Sequence, residues 1–474
     1  MRPSEAVDAA LADEALVELD GWLAELCAHS SAAPAPDALR KLETLVALTV
    51  SRQIRDADFS ADFPALLVRL LARAWSVEFE PPLLRLTYLF FTGMLHIPEL
   101  DAHAAARAIG AEFLSALFER LGAERPVGRL PRGFCEVTSA VGATAGASVV
   151  NPAAGAKLGS AGAGAGGTDG AADEFGWLRT VLHWAYASAP ELRPALRTRI
   201  GHALVRAAGL AVPPAGTSYV LDVLVAVTAG VCAREDEPSR DARGALLLHV
   251  LLPLHRPAGK VDGYGPSIAA YHKQLVQCEV QLLRAQPVLL PRALAELGRT
   301  WPSEREGNSA KEVLLLHEVE MVLTAVPVPP ELARECAAHL APLVLLSLQS
   351  ENARVAERAL LLLASDSVCD VLLACARLAM PPLVHALLRQ GKPHWNPTVN
   401  RMTFAALSRL QQRDAALFDE STEYAWALLD KGITERAHSA MEAALDGDAA
   451  GQKWCAGSAE PVSYTHLTLP TKRI

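Results

Sequence analysis

Fourteen histidines, eight cysteines and a surplus of acids over bases are the material for chemistry in this 474-residue chain. Their spacing does not build a catalytic or metal centre. His317-Glu318 opens like a zinc-protease helix, but that motif needs a second imidazole one turn on, and Met321 stands there. The cysteines at 27, 135, 232, 278, 336, 369, 375 and 455 form no C-x-x-C pair and no zinc spacing with histidine. Single thiols fit a reducing cytosolic or nuclear compartment. No Gly-x-Ser-x-Gly elbow occurs. Gly162-Ala-Gly-Ala-Gly-Gly167 has the glycines of a phosphate cradle, yet it follows no strand and carries no Lys-Ser/Thr. The acid pairs Glu318/Glu320 and Asp419/Glu420 read as solvated helix faces or caps. The expectation is a chain without catalytic residues, cofactor or metal of its own.

What stands out instead is four short islands of unusual composition. They are His249-Val-Leu-Leu-Pro-Leu-His255, Val355-Ala-Glu-Arg-Ala-Leu360, Lys392-Pro-His-Trp-Asn-Pro-Thr398 and Leu417-Phe-Asp-Glu-Ser-Thr422. The chain around them is 51% hydrophobic but only 5% aromatic, because Leu and Ala supply the excess. Both are strong helix formers, so an all-α fold is expected. Net charge is −9 with both signs interspersed and no basic arm, which argues against nucleic-acid binding. The longest apolar run, Val220–Val231, is interrupted by Asp222, Thr228 and Gly230, and reads as a buried helix, so no membrane span is expected.

Residues 1–37 are a ragged start, with a short helix around Glu14–Cys27. Helices are predicted from Asp37 to Arg52, from Asp62 or Phe63-Pro64, from Pro81-Pro82 through Leu95, and from Asp101 to Leu121. Residues 140–170 are nearly all Ala, Gly, Ser, Thr and Val and read as a disordered insertion. Helices resume at Glu174 and run to about Leu445. They break at Pro213-Pro214, Pro257, Pro302, Pro329-Pro330, Asp366, Gly391 and Gly432. Helix pairs then recur at about the 40–47 residues of HEAT or armadillo units. Each pair exposes an apolar face that only its neighbours cover, so residues 38–447 are expected to stack as one α-α superhelix, a HEAT/armadillo-like solenoid of about eight pairs. Residues 448–460 read as a tail. Residues 461–474 match nothing before them; they look like a translated sequencing adaptor, with the natural C-terminus missing.

The islands, in this order, resemble the B-prime family of regulatory subunits of protein phosphatase 2A. The resemblance runs from about residue 38 to about 430. Trp177-Leu-Arg-Thr-Val-Leu-His-Trp-Ala-Tyr186 resembles the family's first concave-groove helix. Tyr271-His-Lys-Gln-Leu275 with Cys278 resembles its Tyr-His-Pro-Gln-Leu…Cys stretch. The resemblance implies a non-catalytic, HEAT-like chain that docks on a scaffold subunit and a metal-dependent catalytic subunit. It also implies recruitment of phosphoproteins through short Leu-x-x-Ile-x-Glu peptides, with the metal held by the catalytic partner.

Carried over residue by residue, the family's peptide groove falls on His183, Tyr186 and Arg193, with an apolar floor at Val223 and Val227. The basic positions of the next helix fall on Arg240 and Arg243. Arg offers a bidentate fork for carboxylate or phosphate. Trp184 stands where the family has Arg, so the groove is less basic there, and restoring Arg is expected to tighten an acidic peptide. Both floor residues are Val where the family has Ile. Read without the resemblance, His183 is an ordinary half-buried histidine, the valines are core and the arginines are solvated surface. Two other classes remain open from sequence: a helical-repeat adaptor in transport or trafficking, and an enzyme of unfamiliar type.

Overall fold

The computed structural model describes residues 14–28, 36–50, 59–95, 97, 100–122, 169–232, 237–257, 260–261, 265–302, 307–388 and 394–430. They are helical almost throughout. Among the described residues, the strands are those of a two-residue antiparallel ladder, Lys260–Val261 against Gly265–Pro266. The chain divides into two compact units, Met1–Gln281 and Leu282–Ile474.

In the first unit, α1 (Leu19–Ala28), α2 (Pro36–Val50), α3 (Phe63–Ser76) and α4 (Pro81–Met94) pack one against the next but one, α1 on α3 and α2 on α4. The pattern follows from one-sided helices: α3 buries Phe63, Leu66, Leu67, Leu70, Leu71 and Ala74 at helical spacing. The ragged segment before residue 38 thus holds an ordered helix, with Trp22 and Leu23 buried. Asp37 does not cap α2 from outside; it lies in the first turn and pairs with Lys41, four residues on. Ser60 serves α3, its Oγ accepting from the amides of Asp62 and Phe63 at 3.3 and 3.1 Å.

The single helix expected over Asp101–Leu121 is two, α5 (Ala102–Ala108) and α6 (Ala111–Leu121), broken at Ile109-Gly110. Asp101 caps the first, its Oδ1 accepting from the Ala104 amide at 2.9 Å. The apolar spacing of Leu114, Leu117, Phe118 and Leu121 belongs to the second alone. After residue 122 the description resumes at α7 (Asp169–Ser188), five residues before the expected Glu174. The rest of the Gly/Ala insertion, the tail and the final 14 residues lie outside the described residues. Next come α8 (Arg193–Ala208), α9 (Thr217–Cys232), α10 (Glu237–Leu246) and α11 (His272–Ala285).

In the second unit, α12 (Leu290–Arg299) packs on α14 (Pro330–Leu348), and α13 (Ser309–Ala325) on α15 (Ala353–Ala364). α16 (Asp366–Leu372) and α17 (Ala376–Leu388) cover α14, α18 (Pro397–Arg413) covers α15, and α19 (Ala415–Asp430) covers α17. Both units therefore show the all-α helical-repeat, HEAT/armadillo-like construction.

The stretch Asp366–Leu388 is long and apolar enough to cross a membrane by length and composition, although charged residues interrupt it in the sequence. More than half of it is buried against its neighbours, as in the core helix of a soluble fold.

The islands turn out to be structural. His249–His255 is where α10 ends, through a π-helical turn at Leu247–Leu251 and a 3-10 turn at Leu252–His255 that contains Pro253. The buried hydroxyl of Tyr271 donates to the Leu254 carbonyl at 2.8 Å. Val355, Ala356, Ala359 and Leu360 are the core face of α15. Asn396 caps α18, accepting from the Thr398 amide at 2.8 Å. Ser421 returns its hydroxyl to the Leu417 carbonyl.

Candidate functional site

α7 owes its orientation to two faces at helical spacing. Glu174, Trp177, Leu178, Val181, Leu182 and Ala185 are buried. Arg179 and His183 are open to solvent and Tyr186 half-open, four and then three residues apart. Indole and phenol rings lock the inner face: Trp177 stacks on Tyr88 of α4 with centroids 5.0 Å apart.

α9 lies beside α7. Phe175 stacks on Tyr219 at 5.4 Å, and one turn on Arg179 Nη1 pairs with Asp222 Oδ2 at 3.1 Å. Both contacts advance in the same sense, so the two helices run parallel. Helical spacing then continues the open strip through His183 and Tyr186 on α7 and through Ala226 and Ala229 on α9, both exposed.

Arg193 closes the C-terminal end of α7. Its Nε donates to the Tyr186 carbonyl at 2.9 Å, its Nη2 to the Ala187 carbonyl at 3.1 Å, and the guanidinium lies 5.5 Å from the Tyr186 ring centre. A cation placed on the last carbonyls of a helix opposes the negative end of its dipole. The fork that would grip a ligand carboxylate is thus already engaged, though Arg193 keeps partial exposure.

The other expected groove residues separate into surface and core. Arg240 is exposed on α10. Arg243, one turn on, is 3% exposed and lies close enough to Cys232 to draw its thiol pKa down; burial outweighs this and leaves the thiol above its ordinary value. Val223 and Val227 are 1% and 4% exposed, so they are core of α9 and offer a peptide almost no surface as they stand. Trp184 is half-buried, its ring edge-on to Phe91 of α4 with centroids 6.1 Å apart. The structure therefore gathers His183, Tyr186 and Arg193 at one helix end, leaves Arg240 open, and withdraws Val223, Val227 and Arg243. Arg179, Asp222, Ala226 and Ala229 were not singled out from sequence. Their spacing of i, i+4, i+7 beside the buried positions is the signal that would have found them.

Replacing Trp184 by Arg should remove the edge contact with Phe91. An aromatic pair is worth about 0.5–1.5 kcal/mol beyond its buried area. The expected result is a melting temperature lower by roughly 2–4 °C, read by circular dichroism. An unchanged value would show that the ring contributes nothing to the α4–α7 packing.

Comparison with known proteins bears on this surface. The family model described as "Protein phosphatase 2A regulatory B subunit (B56 family)" matches residues 172–437. The rabbit (Oryctolagus cuniculus) 56 kDa regulatory subunit delta isoform of serine/threonine-protein phosphatase 2A is 25% identical over 357 residues, 75% of this chain and 50% of the relative. The B' theta isoform of Arabidopsis thaliana, a 57 kDa regulatory subunit of the same phosphatase, is 31% identical over 243 residues, 51% of this chain and 46% of the relative. The Caenorhabditis elegans regulatory subunit pptr-1 is 29% identical over 249 residues, 52% and 43% of the two chains. The chain spans about half the length of the curated relatives it matches. With more than half its length, α7 to α19, on the family model, the chain belongs to the B56 family of protein phosphatase 2A regulatory subunits.

Proposed function

We propose that the chain is a non-catalytic, substrate-recruiting subunit of the protein phosphatase 2A heterotrimer. It binds the scaffold and catalytic subunits and presents phosphoproteins through Leu-x-x-Ile-x-Glu-type peptides, in the cytoplasm or nucleus. The observation that carries the reading is the family match over residues 172–437, which takes in α8, α9, α10 and the open residues of α7. The open strip on α7 and α9 supports it: tyrosine, histidine and small alanines, with Arg240 exposed on the helix that follows α9, suit an extended acidic peptide with apolar anchors. Val223 and Val227 serve in this reading as the packed layer beneath the strip. The metal chemistry belongs to the catalytic partner.

The test is affinity capture of the full chain mixed with purified scaffold and catalytic subunits. A stoichiometric three-part complex is expected, with changed preference among phosphopeptide substrates relative to the two-part core enzyme. The chain alone, stripped of metal, should hydrolyse none of them. Failure to join the core enzyme, or turnover by the isolated chain, would overturn the proposal.

A further inference from the structure

Glu174 is 2% exposed and sits at the centre of a polar cluster in an otherwise apolar layer. One oxygen, Oε1, accepts the Tyr88 hydroxyl at 3.0 Å, Arg120 Nε at 3.0 Å and Arg120 Nη2 at 2.6 Å. Trp75 Nε1 donates in turn to the Tyr88 oxygen at 2.8 Å. Tyr88 is wholly buried, and burial first, then the Glu174 charge, drives its pKa far above the ordinary value, so it stays a neutral donor. Burial works against the Arg120 charge, but Tyr88 and Glu174 outweigh it and hold its pKa above normal.

Position in the chain gives the cluster its meaning. Trp75, Tyr88 and Arg120 lie on α3, α4 and α6; Glu174 lies in the first turns of α7. Arg120 and Glu174 are 54 residues apart in sequence, on either side of the undescribed stretch 123–168. The family model begins at residue 172. The cluster therefore ties helices that precede the family-matched region to the first helix of that region. A second close approach lies alongside. A side chain on Gly216, at the start of α9, would run into the Leu121 carbonyl, so α6 ends directly against α9.

We propose that Trp75, Tyr88, Arg120 and Glu174 form a buried polar lock that docks α1–α6 onto α7, so that the two parts stay joined without the covalent link through 123–168. Apolar burial is non-directional, whereas a carboxylate that takes three donors from two helices fixes one register. Removing either charged member, Arg120 or Glu174, leaves the other as an unpaired buried charge, which is far costlier than removing both. The lock thus holds α1–α6 on α7 through their own interface, independently of the chain that links them.

The experiment uses the full chain with a site for a specific protease placed between Gly162 and Gly167. After cutting, wild type is expected to elute as one species at micromolar concentration with an unchanged circular dichroism spectrum. Cut Arg120→Met should separate, its dissociation constant raised about a hundredfold or more. The double variant Arg120→Met/Glu174→Leu should recover much of that loss. Tyr88→Phe, which removes only the hydroxyl, should weaken the cut complex about tenfold, and it provides the readout if uncut Arg120→Met does not fold. Separation of the cut wild-type pieces under these conditions would overturn the proposal. So would cut complexes of Arg120→Met and Tyr88→Phe as tight as wild type.

Discussion

Gly216→Ala is expected to be among the most damaging single-methyl additions in the chain. The added Cβ would overlap the backbone carbonyl of Leu121, and a carbonyl at a helix end cannot rotate away as a side-chain tip can. Gly216 also starts α9, its own carbonyl accepting the Tyr219 and Val220 amides at 3.1 Å, so it is fixed from both sides. Forced overpacking costs about 1–3 kcal/mol and more where backbone must shift. A fall in melting temperature of roughly 6 °C or more should follow. Gly201, inside α8, is the matched control, because nothing lies within 4 Å of its would-be Cβ. Gly201→Ala should stabilise by about 0.5–1 kcal/mol, since alanine loses less freedom than glycine in a helix. Equal effects from the two substitutions would mean that α6 and α9 do not meet as described.

The two glycines illustrate what sequence can and cannot reveal. Nothing local distinguishes them, because the difference lies in a contact between residues 121 and 216, far apart in the chain. Helix starts are legible where their signals are local: Phe63-Pro64 and Pro81-Pro82 open α3 and α4. Where structure and sequence pattern part, the causes are local too. Gly110 lay inside a run whose later apolar spacing was strong enough to suggest one helix over Asp101–Leu121. α7 begins in Asp169-Gly-Ala-Ala-Asp, which has no apolar period to announce it. The division at Gln281/Leu282 falls within α11 and coincides with no shift in composition.

The site was legible in a narrower sense. Of the residues that the resemblance of Trp177–Tyr186 to a groove helix points to, the structure leaves His183 open and Tyr186 half-open. The resemblance could not tell which neighbours face outward, because burial depends on the partner helix. Val223 and Val227 differ from Asp222 and Ala226 by one position each, about 100° around α9, and that step separates core from surface. The basic groove positions carried over by resemblance include Arg193 and Arg243, and the fold engages both, one on the end of α7 and one beneath the surface.

This one-position distinction gives the second large effect. Val227→Asp should place a carboxylate at a site 4% exposed. Unpaired buried charge is among the few mechanisms that exceed about 4 kcal/mol in a point variant, so loss of the cooperative melt is expected. Ala226→Asp, on the exposed neighbour, should stay within about 0.5 kcal/mol of wild type. If the open strip is the ligand face, Ala226→Asp should nevertheless weaken a labelled Leu-x-x-Ile-x-Glu peptide about tenfold or more, by setting like charge beside the peptide's Glu. Arg240→Ala should do the same by removing a charge-assisted bond worth about 1.5–3 kcal/mol. Both losses should shrink at high salt, because exposed charges are screened. A stable, fully folded Val227→Asp would place that residue at the surface and return the groove floor to the valines. Peptide binding unaffected by Ala226→Asp and Arg240→Ala would move the ligand off this strip while leaving family membership, which rests on residues 172–437 as a whole, untouched.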